Sequence, residues 1–221
     1  MKFRNRTEAG QRLARQLQNY ANRASAIVLG LPRGGVPVAY EVASALNLPL
    51  DVYVVRKLGV PGHEEMAMGA IATGGVRYIS DSIVNGLGIS QEAIEQVAEV
   101  EQRELERREK AYRDDRPPLD LADHTVILVD DGIATGATMV AAVRSLRQQS
   151  LQRVVVAVPV ASPEVCKMFE SEVDEIICAE TPQPFRAVGL WYENFAQTTD
   201  QEVRDLLYKA QVQYQTLTAK F

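Results

Sequence analysis

The chain has 221 residues, 46% hydrophobic and 24% charged, a balance that excludes collagen-like, fibrous and wholly disordered proteins and permits a buried core. Its 24 basic and 29 acidic residues leave a net charge of −5, which argues against a general electrostatic grip on nucleic acid or anionic lipid, so an anionic ligand requires a local site. No stretch approaches the about 18 apolar residues of a membrane span, and the charged start MKFRNRTEAGQRL is unlike a signal peptide, so a soluble cytoplasmic protein with no membrane partner is expected.

In chain order, residues 7 to 24 carry Leu13, Leu17, Tyr20 and Ala24 on one face and predict an amphipathic helix. Ala26 to Leu31 is a short buried strand, broken by Pro32, Gly34 and Gly35 before a helix over Val36 to Leu46. Leu50 to Val55 is a second strand that ends in Arg56 and Lys57, completing a βαβ unit. Residues 58 to 66, LGVPGHEEM, lack periodicity and read as a mobile loop. Ala67 to Ala72 and Val76 to Ser80 flank Thr73, Gly74 and Gly75 as a hairpin. Ser90 caps a long charged helix to about Tyr112, whose thin stripe of Ile94, Val97, Ala98 and Leu105 either covers the sheet or forms a subunit contact.

The segment from Asp114 to Asp120 is a linker by composition. Thr125 to Val129 is a buried strand, Asp130 to Thr138 a loop, and Met139 to Leu146 a helix. A strand over Arg153 to Pro159 follows, then a helix opened by Ser162 and Pro163, a last strand at Ile176 to Ala179 and a terminal helix from Asp200. Cys166 and Cys178 have no metal-finger spacing, and His63 and His124 add too few ligands for a Cys/His metal site, so reduced, core-packed thiols are expected. The alternation implies an α/β fold with a mostly parallel sheet flanked by helices. It is read as a single domain over 1–221, with 67–115 as an inserted hairpin and long helix and 180–198 as a small candidate hood.

Ligands of open α/β sheets lie beyond the carboxyl ends of the strands. After Val129 come Asp130 and Asp131, then Gly132, Ile133, Ala134, Thr135, Gly136, Ala137 and Thr138. The second half puts small residues and hydroxyls at a helix N-terminus, where free N–H groups favour phosphate. The two carboxylates would repel that phosphate, so they must hold sugar hydroxyls or a magnesium ion on the same ligand. A Walker loop is excluded, since Ala137 rather than lysine follows Gly136, and the GxGxxG fingerprint is absent from both strand-to-helix turns.

VILVDDGIATGAT closely resembles the ribose-phosphate motif of type I phosphoribosyltransferases, which join a nitrogenous base to phosphoribosyl pyrophosphate (PRPP) and release pyrophosphate. The resemblance implies that Asp130 and Asp131 bind the ribose 2- and 3-hydroxyls and Mg2+, directly or through water, while Ala134, Thr135, Gly136, Ala137 and Thr138 cradle the 5-phosphate. Gly30 to Gly35 is similar to the family's pyrophosphate loop, which would place Arg33, Gly34 and Gly35 at the leaving group and a cis peptide at Pro32–Arg33. Arg56 and Lys57 are similar to the basic start of the flexible catalytic loop in adenine and orotate enzymes. Within that loop His63, Glu64 and Glu65 are the acid/base candidates, with Lys57 on the departing phosphates. Ala134 replaces the aspartate of some purine-specific members, which removes that route to a general base.

FRAVGLWYENF, Phe185 to Phe195, is similar to a hood segment of hypoxanthine-guanine enzymes. Trp191 and Tyr192 either stack on a heterocycle or pack as an ordinary aromatic cluster, and Phe3 with Arg4 is a second hood candidate. The implied activity is Mg2+-dependent transfer of phosphoribosyl from PRPP to a nucleobase or similar nitrogen heterocycle, in a homodimer that takes no nucleic acid. The alternative is a non-catalytic PRPP-sensing regulator of the same fold.

Overall fold

AIVLG, TVILV and RVVVAVPV are runs of β-branched and aliphatic residues too short for stable helices and apolar on both faces, the signature of strands covered from two sides. In the computed structural model, which describes residues 2–113 and 116–219 without the side chains of Glu65 and Thr218, they form the centre of a parallel sheet. β1 (Ala26–Gly30), β2 (Leu50–Val52), β6 (Thr125–Val129), β7 (Arg153–Val160) and β8 (Glu175–Glu180) lie in the order β2-β1-β6-β7-β8. Gly30 pairs with both Val52 and Val129, so the loops leaving β1 and β6 emerge side by side.

Strand alternation divides the core between the two faces. Ala26, Val28, Ile127 and Val155 meet Leu13 and Leu17 from the α1 region (Arg6–Gln16) and Val38 and Val42 of α2 (Gly35–Leu46). Ile27, Leu29, Val126, Leu128 and Val156 meet Met139, Val143 and Leu146 of α5 (Ala137–Leu146) and Phe169 of α6 (Pro163–Phe169). Each such buried aliphatic side chain contributes about 1.5–3 kcal/mol relative to exposure.

Beyond β2 the chain departs from the expected order. Leu50 to Val55 does not continue as one strand. It leaves the parallel sheet after Val52 and enters a second, antiparallel sheet of β3 (Val55–Val60), β4 (His63–Ala72) and β5 (Val76–Ile79). The expected mobile loop over 58 to 66 is therefore the arm of a hairpin. Val60 pairs with His63, and Pro61–Gly62 forms the two-residue turn, with Gly62 at φ 78°. Proline followed by a positive-φ glycine is a type II turn signal, and the irregular pairing around Gly59 hid the strand alternation on either side of it.

A short helix α3 (Asp81–Leu87), not expected from the sequence, precedes α4 (Gln91–Arg113). Ile94, Ala98 and Leu105 of α4 cover Leu58, Met68 and Ile71 of the antiparallel sheet and meet Val203 and Leu207 of α7 (Asp200–Thr218). No helix among the described residues is long and apolar enough to cross a membrane. Of the expected linker, Asp114 and Asp115 lie outside the described residues. Cys166 and Cys178 are not reduced thiols: they form a disulfide between α6 and β8, with Cα atoms 6.7 Å apart. The 12-residue spacing concealed a helix packed directly on the next strand.

The end of α4 is fastened to the parallel sheet by charge. Arg113 Nε donates to both oxygens of Asp51 at 2.8 and 3.0 Å, Nη1 to Glu109 at 2.9 Å, and Nη2 to the Val52 carbonyl. The Arg113 side chain is only 5% exposed. Removing one member leaves a buried charge unpaired, so Arg113→Ala should destabilise the fold by about 3–5 kcal/mol, whereas the apolar pair Asp51→Leu with Arg113→Met should cost far less. Denaturant midpoints of the three proteins check this; equal losses would contradict it.

Candidate functional site

The matched ends of β1 and β6 bring together the turns expected to hold pyrophosphate and ribose phosphate. Leu31 N donates to Val129 O at 2.9 Å, extending the pairing one residue past β1. The chain then turns through a cis peptide at Pro32–Arg33, as expected, and Gly35 N donates to Leu31 O at 3.0 Å. Glycine is required here by close approach. A Cβ on Gly34 would fall 2.1 Å from Asp131 Oδ2, and one on Gly35 would fall 2.7 Å from the Val129 carbonyl. Arg33, partly exposed, lies with Nη1 3.6 Å from Asp200 Oδ1 at the start of α7.

Asp130 and Asp131 form the floor between this turn and the next. Asp131 N donates to Asp130 Oδ1 at 2.8 Å. Arg6, at the start of α1, places Nε 2.9 Å and Nη2 2.8 Å from the single oxygen Oδ2 of Asp131. Burial, and next the neighbouring Asp131 carboxylate, push Asp130 well above the usual carboxylate range. Burial raises Asp131 as well, against the lowering pull of Arg6.

From there Ala134 and Thr135 run exposed to Gly136, whose φ of 83° and whose fit against Met168 and Phe169 both call for glycine. α5 begins at Ala137, two residues earlier than expected, and its first turn receives no side-chain cap. Its leading N–H groups are therefore open to an anion. A cleft of about 730 Å³ opens beside Ala134 and Thr135, with Phe185, Arg186, Gln183 and Glu164 on its other walls. Hydrogen bonds from its own backbone, Ser162 and Gln183 hold the Glu164 carboxyl below its ordinary range.

The two hood candidates are one assembly. Phe3 and Tyr192 pair as a parallel bridge, Phe3 N donates to Trp191 O at 2.8 Å, and Glu193 N donates to Phe3 O at 2.8 Å. Of the two alternatives for Tyr192, the structure takes packing. The ring is 4% exposed between Phe3 and Phe195, and its hydroxyl donates to Asp131 O at 2.6 Å. Burial, and next the charge of Asp131, raise its pKa. Trp191 packs partly buried in the same cluster. Arg4 is turned outward and pairs with Glu8 at 3.0 Å.

The expected catalytic set lies elsewhere in this conformation. Lys57 and Glu64 line a separate groove of about 530 Å³ against Gln96, Val97 and Glu101 of α4, and it shares no lining residue with the cleft at Thr135. Arg56 Nε is 2.6 Å from Glu101 Oε2, and His63 is exposed at the start of β4. The Glu65 side chain lies outside the described residues. Arg6 and Glu164 went unnoticed in the sequence, and Asp200 was read only as the start of the terminal helix. Arg6 stands 125 residues from Asp131 and carries no motif, so only tertiary structure identifies it.

Because the folded state raises the Asp130 pKa, it binds a proton that the unfolded chain has already released. Stability from this group is full below the unfolded carboxylate range and falls as pH rises toward the folded value. Asp130→Asn should therefore raise the melting temperature, and by more at pH 8 than at pH 4. A gain independent of pH, or a loss at pH 8, would contradict the burial account.

The phosphoribosyl transferase domain family matches residues 3–190. Proteins of two Mycobacterium tuberculosis strains, CDC 1551 / Oshkosh and H37Rv, each named "Putative phosphoribosyl transferase", are 45% identical over 208 residues, 94% of this chain. The chain spans about half the length of these curated relatives, 47%. The crystal structure of TT1426 from Thermus thermophilus superposes with a TM-score of 0.86 at 42% identity, covering 95% of this chain and 99% of that one. With the family match running from Phe3 through both turns to residue 190, the chain belongs to the phosphoribosyl transferase domain family.

Proposed function

We propose that this chain transfers the phosphoribosyl group of PRPP to a nucleobase or similar nitrogen heterocycle and releases pyrophosphate. The observation that carries the reading is the acid pair Asp130 and Asp131, set between the glycine turn at Gly34 and Gly35 and the uncapped N-terminus of α5. A phosphate alone would be repelled by two carboxylates; a sugar phosphate with vicinal hydroxyls satisfies both halves. On this reading Ala134 to Thr138 take the 5-phosphate, Asp130 and Asp131 take the ribose hydroxyls, and Arg33 with the Gly34 and Gly35 amides takes the pyrophosphate. Arg33 would exchange its exposed Asp200 partner for the leaving group, and the cleft walled by Phe185 would receive the heterocycle.

Breaking the bond from C1 to pyrophosphate leaves an electron-poor sugar and growing negative charge on the phosphates. Arg33 and the loop N–H groups face that charge. Among the described residues no cluster of three or more His, Cys, Asp or Glu side chains could hold a metal unaided. Asp130 and Asp131, directly or through water, suit a magnesium ion that takes its remaining oxygen ligands from substrate phosphates and water. Such an ion, when bound, would neutralise part of the leaving-group charge. Lys57, His63, Glu64 and Glu65 would reach the reaction only if the β3–β4 arm closes over the cleft, which requires Arg56 to release or carry Glu101.

Incubating the protein with PRPP, Mg2+ and a panel of heterocycles while measuring pyrophosphate tests the reading. Turnover with at least one base is expected, reduced at least about 100-fold in Asp130→Asn and Asp131→Asn. Lys57→Ala should lower kcat more than it raises the Kd for PRPP. If PRPP binds tightly and no heterocycle yields pyrophosphate, the sensor function displaces the enzyme. If turnover survives Lys57→Ala and the Glu64→Gln, Glu65→Gln double change, the hairpin arm plays no part.

A further inference from the structure

Each carboxylate of the acid pair has one oxygen occupied and one open. Asp130 Oδ1 accepts from the Asp131 N–H at 2.8 Å, and Asp131 Oδ2 receives both Nε and Nη2 of Arg6 at 2.9 and 2.8 Å. No other side chain among the described residues reaches Asp130 Oδ2 or Asp131 Oδ1. When both acids are ionised, each has an oxygen left to accept, which matches the two hydroxyl donors of a vicinal diol.

Arg6 is itself held rigidly. Its third nitrogen, Nη1, donates to the Ala196 carbonyl at 2.7 Å, its guanidinium carbon lies 4.1 Å from the centre of the Phe195 ring, and its side chain is 12% exposed. The Gly34 turn closes the other side, since a Cβ there would stand 3.3 Å from Nη2. A planar fork held by a carbonyl, a ring and a backbone turn fixes the rotation of the carboxylate it grips.

We infer that Arg6 is a positioning residue that determines sugar specificity: by claiming one oxygen of Asp131, it presents the other beside Asp130 as a paired acceptor for the vicinal diol of a ribose 5-phosphate unit. The inference rests on the phosphoribosyl reading above. Arg6 touches no substrate atom and acts through Asp131. A 2-deoxyribose unit offers only one of the two donors and leaves one carboxylate oxygen desolvated without a partner. Hydrogen bonds to charged groups are worth enough for this to cost roughly tenfold or more in affinity. Because the same guanidinium binds Ala196 and Phe195, the sugar floor and the aromatic segment are positioned by one group.

The test measures dissociation constants for ribose 5-phosphate, 2-deoxyribose 5-phosphate and inorganic phosphate in the parent, Arg6→Gln, Arg6→Lys, Asp131→Asn and the Arg6→Gln, Asp131→Asn double variant. The parent should prefer the ribose compound by roughly tenfold or more. Arg6→Gln should erase most of that preference while leaving inorganic phosphate within about twofold, a selectivity change that general loosening of the fold would not produce. Lysine should fail to rescue, because a point charge cannot serve Asp131 and Ala196 together. The double variant should lose no more selectivity than Asp131→Asn alone, and it removes the buried unpaired charge should Arg6→Gln fold poorly. Unchanged selectivity in Arg6→Gln, or additive losses in the double variant, overturn the role of Arg6. A parent that binds ribose 5-phosphate without preference over the deoxy compound overturns the paired-acceptor reading. A parent that binds neither sugar phosphate nor PRPP refutes the phosphoribosyl reading itself.

Discussion

The register of β1 against β6 is the constraint on which the rest depends. Pairing Gly30 with Val129 makes the two strands end level, so the turn at 31–35 and the turn at 130–136 must share one space. They share it only because Gly34 and Gly35 carry no side chain where the Asp131 carboxylate and the Val129 carbonyl already sit. A slip of one residue would reverse every inward and outward side chain of a strand buried on both faces. The apolar core on each side of the sheet therefore fixes the geometry of the polar site, whose two turns are anchored in that core by Leu31 and Ile133.

That site is costly to maintain. Burial raises both carboxylates; Arg6 pairs directly with Asp131 and pulls Asp130 down only through space, as the weakest of the influences on it. A fold selected for stability alone would have no reason to keep Asp130 in this position, and departures of that kind mark functional positions. The surrounding structure offsets the cost locally. Arg6 neutralises one acid, the Tyr192 hydroxyl satisfies the Asp131 carbonyl, and the strand bridge from Phe3 to Tyr192 fastens together the two segments that carry them. The N-terminal residues are thus part of the site floor as much as the loops after the strands.

Much of this was legible in the sequence because it is local. The apolar runs fixed the parallel strands, the DDGIATGAT stretch announced the acid pair and the small-residue turn after it, and LPRGG announced the turn that meets it. What was missed is long-range or depends on irregular pairing. Arg6 reaches Asp131 across 125 residues. Cys166 and Cys178 meet because α6 packs on β8, a relation that no spacing rule encodes. The arm at 58 to 66 read as a loop because Gly59 interrupts its alternation, although Pro61–Gly62 is itself a turn signal. Tyr192 looked available for stacking because its sequence neighbourhood is aromatic; packing between Phe3 and Phe195 buries it.

The central claim is that one ligand spans both turns, with its sugar on the acid pair. An experimental structure of the chain with PRPP and Mg2+ tests it most directly. The account predicts the 5-phosphate at Ala134 to Thr138, the ribose hydroxyls on Asp130 Oδ2 and Asp131 Oδ1, and the pyrophosphate against Arg33 to Gly35. Phosphate groups found instead in the groove between Lys57 and α4, with the acid pair untouched, would contradict it.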